Sequence, residues 1–141
     1  MKSLLCSLFA FTLLAAQGAM AHDDATLDAM QAPHGGQLRM AGAYHFELVV
    51  KADEILVYVT DHAGTSVPTQ GASGRAIITS GPNDIRIPLQ PTGDNLLAGA
   101  GRVTPAPDAM VMVSLRLPGQ RSEMAHFLPF RKSAPAQHAM H

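Results

Sequence analysis

Short segments of alternating side chains, separated by glycine, proline and Asn-Asp turns, constrain the fold of this chain more than any other feature. Residues 43–50, AYHFELVV, place apolar side chains on one face of an extended chain and His45 and Glu47 on the other. After the turn KADE, residues 55–60 repeat the alternation, which predicts a hairpin. Residues 61–70, DHAGTSVPTQ, predict a turn followed by a short, proline-bearing strand at an edge. Further strands are predicted at 75–80, 85–90, 95–101, 109–117 and 123–130. No segment beyond residue 21 shows a helical period.

Strands of this length and spacing predict an all-β fold. We expect an antiparallel immunoglobulin-like β-sandwich of about seven to eight short strands, with a small barrel as the alternative. The β-domain is predicted at 43–131, between an extended N-terminal arm at 22–42 and a flexible His/Met tail at 132–141. The arm combines acids, a proline and glycines without a sustained period, which is typical of irregular chain.

The first 21 residues have the pattern of a signal peptide. Lys2 precedes an uncharged, mostly apolar run at 4–16, and AMA at 19–21 matches a small-x-small cleavage signal. The run is shorter than the roughly 20 residues that a membrane-spanning helix needs, so an uncleaved anchor is the weaker alternative. We therefore expect cleavage after Ala21, a periplasmic location, and no membrane attachment once the signal is removed.

Cys6 is the one cysteine of the chain, and it leaves with the predicted signal peptide. A mature chain without thiols has no disulfide, thiolate nucleophile or cysteine ligand. Any metal must then be held by histidine, methionine, carboxylate or backbone groups. The net charge of −1 gives no electrostatic reason to expect a nucleic acid as a partner.

Enzymatic activity is not indicated. The chain has no G-x-S-x-G elbow, H-E-x-x-H motif, P-loop or dinucleotide fingerprint. Asp61-His62 is a conceivable acid-base pair, but it lies in the sequence Asp-His-Ala-Gly, where a turn is the favoured interpretation.

Three clusters are candidates for metal binding, because imidazole and thioether groups suit copper. His22 would become the mature terminus and add an α-amine to its imidazole, unless it merely follows the cleavage site. The stretch MQAPHGGQLRM offers three ligands, and it also has the pattern of a turn. For Met40 the alternative is packing at the start of the first strand. The tail is either a local chelator or a segment without consequence. The candidate ligands are His22; Met30, His34 and Met40; and His138, Met140 and His141.

Two predicted strands add a fourth possibility. In AMVMVSLRL, Val111 and its alternate neighbours form the natural core face, which leaves Met110 and Met112 pointing outward. Met124 and His126 lie on the next strand, and a one-residue choice of register decides whether they point the same way. The alternative is that His126 is an interior residue.

Three segments carry a resemblance to a known group of proteins: PHGGQLRMAGAYHFELVV, ILVYVTDHAG and LQPTGDNLLAGAG. Across residues 33–128 the chain resembles small exported proteins found with copper and other heavy-metal efflux systems. It is also similar to the N-terminal, histidine-bearing β-domain of heavy-metal-efflux periplasmic adaptors, in which a His-Gly-Gly element precedes the first strand. The resemblance implies periplasmic metal handling, with His34 as its best-supported ligand. The helical hairpin and lipoyl-like segments of an adaptor are missing, so the bridging role does not carry over.

These observations predict a periplasmic protein that binds copper, as Cu(I) or Cu(II), or another heavy metal. It would act as a chaperone, buffer or accessory to efflux, and an adaptor or another efflux component is the expected partner. The rival hypothesis is an envelope interaction module that binds by an exposed edge strand and needs no metal.

Overall fold

The computed structural model describes residues 24–132, and the predicted signal peptide at 1–21 lies outside this range. The described part contains one short helix followed by eight strands. The elements are α1 (Asp24–Ala29), β1 (Gln37–Ala41), β2 (Tyr44–Val50), β3 (Glu54–Asp61), β4 (Ser73–Ser80), β5 (Asn83–Pro91), β6 (Leu96–Ala100), β7 (Met110–Arg116) and β8 (Ser122–Phe127). The all-β prediction is confirmed, including the seven strands that the alternation indicated.

Within residues 24–132, no helix combines the length and the apolar character that a bilayer crossing requires.

The eight strands form one antiparallel sheet in the order β1-β2-β3-β6-β5-β4-β7-β8. The sheet curls until its two end strands lie beside each other. The backbone N–H of Leu128, just after β8, donates to Oε1 of Gln37 in β1 at 2.9 Å. Gly42, just after β1, lies against the Glu123 carboxylate of β8. The result is a nearly closed, barrel-like sheet.

The core follows from the two-residue period of the strands. Phe46 and Leu48 of β2 face inward at 1% exposure, as predicted, and so do the alternate aliphatic residues of β3. On β7 the predicted inward residues Val111 and Val113 are fully buried, and Phe127 of β8 joins them. The apolar faces of both ends of the sheet thus meet in one core.

The Asp61 turn follows β3 as predicted. The Asp61 side chain accepts hydrogen bonds from the backbone N–H groups of Ala63 and Thr65, each at 2.9 Å. Gly64 has a φ of 82°, a conformation that glycine adopts without strain. The short strand expected after this turn is reduced to a single bridge between Thr60 and Ser66.

Residues 24–41 differ from the extended arm that the sequence predicted. Residues 24–29 form α1, and residues 37–41 form β1, paired along its length with β2. Three side chains explain why the segment is ordered, because Leu27, Ala32 and Leu38 make a small apolar cluster of their own. The cluster lies on the outward side of β2, opposite the main core.

An ion-pair network reinforces this attachment. The Arg39 guanidinium donates to Oδ1 of Asp28 at 2.6 Å, and its Nε lies 3.9 Å from the Asp24 carboxylate. The Arg39 side chain is only 11% exposed. Burial strengthens such a pair relative to one fully in solvent. Arg39 therefore fixes α1 to β1, and the turn at 33–36 covers Glu47 on the outward side of β2.

Candidate functional site

The outward face of β7 and β8 collects four soft or imidazole side chains. Met112 pairs directly with His126 across the two strands, and Met124 is paired with Ser114, two residues further along. Met124 is therefore the diagonal neighbour of Met112, and Met110 is the diagonal neighbour of His126. Opposite residues on neighbouring strands have Cβ atoms about 5 Å apart and diagonal ones about 7–8 Å. We call Met110, Met112, Met124 and His126 the methionine face.

Alternation explains why these side chains point outward. Val111, Val113, Ala125 and Phe127 occupy the inward positions of the two strands and are buried. Met110 and Met124 are 40% and 50% exposed, His126 is exposed, and Met112 is partly buried. The interior alternative for His126 is thus wrong: the register across β7 and β8 gives Ala125 the inward position that a one-residue slip would have given His126.

The methionine face differs chemically from a common zinc or calcium site. Thioether sulfur is a soft ligand that selects Cu(I), whereas carboxylates suit hard cations. Among residues 24–132, no group of three or more His, Cys, Asp or Glu side chains is placed to hold a metal ion. Within the same range His126 is exposed and its ring has no hydrogen-bond partner.

A second arrangement lies on the opposite side of the barrel, at the turn formed by residues 33–36. The Glu47 side chain, 3% exposed, accepts three hydrogen bonds from this turn. Oε2 accepts from the backbone N–H of His34 at 2.9 Å and of Gly36 at 3.0 Å. Oε1 lies 2.8 Å from Nδ1 of the His34 ring. Glycine is required at position 36, because a Cβ there would collide with the carbonyl oxygen of Leu48.

These contacts fix the His34 ring in one orientation. Because a carboxylate only accepts hydrogen bonds, Nδ1 carries a hydrogen, and in the neutral form of the ring Nε2 has the lone pair. The ring also stacks on Tyr58, with centroids 3.6 Å apart and planes 4° from parallel. The side chain is 44% exposed. Metal-binding histidines commonly donate their second ring N–H to a carboxylate in this way. The arrangement presents one nitrogen donor, and it also locks the turn.

The other predicted ligands lie on other elements of the chain. Met40 lies on β1 and packs partly buried against the Leu27 cluster, in agreement with the packing alternative. Met30 follows α1 and is 49% exposed. The remaining candidates lie outside the described residues, and these are His22, His138, Met140 and His141. The structure therefore brings the four residues of β7 and β8 to one face, and it places Met30 with Gly35 and Gly36, the residues after His34, in the lining of one cavity.

Sequence reasoning missed several partners in the covered region. Glu47 and Tyr58 share the outward face of β2 and β3, where they pair in register, and that pairing aligns them with His34. The His45 and His62 rings also stack, with centroids 4.8 Å apart, and Nε2 of His62 donates to the Gly42 carbonyl at 3.1 Å. The usable signal was the alternation of QLRMA before Gly42, which marks β1 as the partner of β2.

Comparison with known proteins adds no assignment: no protein-family model matches the chain, and searches of curated proteins and of solved structures found no match.

Proposed function

We propose that this protein is a non-enzymatic, exported binder of soft metal ions, with copper as its cargo. The observation that carries the proposal is the pairing of Met112 with His126 on an open sheet face, beside Met110 and Met124. Flexible, polarisable thioethers in an oxidising compartment remain ligands where thiols would be oxidised. Three of them around one imidazole form a donor set for Cu(I).

The exposure of the methionine face favours a carrier or buffer over a permanent metal centre. Met124 and Met110 stand at the surface, so a bound ion would be accessible to a second set of ligands. A site that releases its ion needs such access, whereas structural metal sites are closed by their own ligands. Chaperone, buffer and accessory to efflux are all consistent with this geometry.

His34 supplies a second, separate donor in the proposal. Its Nε2 is oriented by Glu47 and Tyr58, and an imidazole nitrogen suits Cu(II) as well as Cu(I). The additional ligands would come from residues outside the described range, with His22, His138, Met140 and His141 as the candidates. Periplasmic location, heavy-metal resistance and an efflux adaptor as partner belong to the same proposal, and they rest on the first 21 residues and on the resemblance.

The finer description of the fold as an immunoglobulin-like sandwich is also a proposal. In its support, the sheet divides into the layers β1-β2-β3-β6 and β5-β4-β7-β8, and only two residue pairs join β5 to β6. Few bonds at that junction would let the two layers pack face to face.

The rival proposal, a metal-independent module that binds by an edge strand, has less support. An edge strand recruits a partner through unpaired backbone groups. Here the two end strands lie beside each other, and the Gln37 side chain accepts a hydrogen bond from the backbone N–H of Leu128. The exposed thioethers also have no role in that proposal.

Titration of the processed chain with Cu(I), against competing chelators under reducing conditions, tests the proposal. We expect one Cu(I) per chain at the methionine face and a loss of affinity of at least about tenfold in Met112→Leu or His126→Ala, because a ligand is removed. Met40→Leu is the matched control, since Met40 packs against the Leu27 cluster.

Two results would contradict the proposal. One is an affinity for Cu(I) no greater than that of an unrelated histidine-bearing protein. The other is an equal affinity in Met112→Leu, Met40→Leu and the unaltered chain, which would show that the methionine face holds no ion.

A further inference from the structure

Several arginines lie near the methionine face, on the same side of the sheet. The cross-strand register places Arg86, Ile77, Met112 and His126 in one row, because Arg86 pairs with Ile77, Ile77 with Met112, and Met112 with His126. The next row runs from Arg75 through Ser114 to Met124. Strands are spaced about 4.8 Å apart, so each of these arginines begins about 10 Å from a methionine in its own row.

A third arginine lies closer. Arg116 pairs with Ser122, two residues from Met124, and is therefore a diagonal neighbour of that methionine. All three arginines are exposed, and none forms an ion pair with a carboxylate of residues 24–132. Among the outward positions of β4, β5, β7 and β8, Asp84 is the one acidic residue. It lies two strands from Met110 in the row Asp84, Thr79, Met110, and it accepts a hydrogen bond from Thr79.

This charge is the opposite of what cation capture alone would favour. A guanidinium about 10 Å from a bound Cu(I) repels it, weakly beside the energy of ligation but with the wrong sign for capture. Three arginines thus face one carboxylate, Asp84, on this side of the sheet, while Asp24 and Asp28 are engaged by Arg39. The arginines therefore call for an explanation other than metal binding.

We propose that the outward face of β4, β5, β7 and β8 docks an acidic protein surface that exchanges Cu(I) with the methionine face. Arginine and methionine are both enriched in protein interfaces, and a basic rim around a transferable ion steers an acidic partner to it. The partner is thus a protein with clustered carboxylates and its own thioether or imidazole ligands. This inference rests on the proposed function for the ion, but the docking surface can be tested without any metal.

The test uses the processed chain and two synthetic peptides. One peptide carries two methionines among Asp and Glu residues, and the other has Asn and Gln in place of every acid. Stopped-flow measurement follows Cu(I) transfer from the loaded protein to each peptide at low and high ionic strength. We expect the acidic peptide to accept Cu(I) at least about tenfold faster at low salt, and this advantage to fall at high salt because exposed charges are screened.

The variant Arg75→Gln/Arg86→Gln/Arg116→Gln should lose the preference for the acidic peptide while keeping its Cu(I) affinity. A matched variant, Lys51→Gln/Arg102→Gln/Arg131→Gln, changes the charge equally at residues away from the face and should keep the preference. Equal transfer to both peptides, or equal losses in the two triple variants, would overturn the proposal.

Metal-free measurements separate the two proposals. Binding of the acidic peptide to the metal-free protein should weaken in the Arg75→Gln/Arg86→Gln/Arg116→Gln variant, even if the chain shows no affinity for Cu(I) and the proposed function fails. Anionic phosphatidylglycerol vesicles form the last arm. If the metal-free protein binds these vesicles through the three arginines and does not bind the peptide, the partner is a lipid surface and the inference is overturned.

Discussion

The outward sides of the two end regions of the sheet follow the same alternation and have opposite character. On β2, the outward residues His45 and Glu47 are polar, yet both are buried, at 5% and 3% exposure. On β7 and β8, the outward residues Met110 and Met124 are apolar, yet both are exposed. In the first region the turn at 33–36 contacts Glu47 and the His62 ring stacks on His45, whereas Met110 and Met124 of the second region stay open to solvent.

The comparison shows that the position of a residue in the strand alternation predicts which face of the sheet its side chain lies on. It does not predict whether that side chain is buried or exposed. Burial of Glu47 is accounted for by three N–H donors, since a buried carboxylate needs such partners. The exposed methionines lie together on neighbouring strands, and a contiguous exposed apolar patch is less common than single exposed apolar residues. Under the proposed function, the open region serves metal binding and the covered region serves stability.

The largest effect is expected for Glu47→Ala, which should lower the free energy of unfolding by about 3 kcal/mol. The change leaves the N–H groups of His34 and Gly36 without their acceptor in a partly buried turn. Urea unfolding followed by circular dichroism measures it. Glu54→Ala is the matched control, since that side chain is 45% exposed in a weak pair with Lys51, and it should change stability by less than about 0.5 kcal/mol. Equal midpoints for the two variants would contradict the role of Glu47.

Leu27→Ala should cost about 2 kcal/mol, at the low end for a buried leucine, because the small cluster can collapse around the gap. Its effect should also be local. Hydrogen exchange of the His34 and Gly36 amides should accelerate, since α1 no longer holds the cover in place, while amides of β7 keep their protection. Uniform acceleration over the whole sheet would show instead that the covered region is not a separate unit.

Truncation of a methionine should lower the free energy of unfolding more in the covered region than on the methionine face, by a smaller difference than in the preceding comparisons. Met40→Ala should cost about 1–2 kcal/mol, because Met40 packs against the Leu27 cluster, whereas Met124→Ala should stay within about 0.5 kcal/mol. Thermal unfolding of the two variants side by side makes the comparison. A cost for Met124→Ala as large as that for Met40→Ala would mean that the methionine face is a packing feature.

Oxidation gives the finest comparison, because Met30 and Met124 have nearly equal exposure, at 49% and 50%. A mild oxidant should convert both to sulfoxide severalfold faster than the partly buried Met40, as peptide mass spectrometry would measure. When silver(I), a redox-inert soft cation, is added before the oxidant, it should protect Met124 from oxidation and leave Met30 reactive. Protection of both residues, or of neither, would argue against a site on β7 and β8.

Much of the fold follows from the sequence. Alternation in residues 43–50 and 109–117 identified the inward side chains, because a strand with one buried face leaves that signature. The outward direction of Met110 and Met112 followed from the same rule. The direction of His126 did not, since the turn between β7 and β8 sets the register and one residue reverses it.

The covered region could not be read in the same way. A six-residue helix is too short to show a period, and α1 is held by tertiary contacts of Leu27 and Arg39 and not by its own propensity. His34 and Glu47 are 13 residues apart, and only the pairing of β1 with β2 brings them together. A local sequence pattern predicts helices and strands, but it does not predict which of them pack against one another.

The junction between β1 and β8 has a mechanical consequence. Gln37 begins β1 and lies beside Leu128, which follows β8, so both ends of the sheet emerge at the same place. Traction applied to the two ends of the chain would act on this junction first and peel the strands apart one contact at a time. Tension would thus act from one end of the sheet on the pairing of β1 with β2 and of β8 with β7.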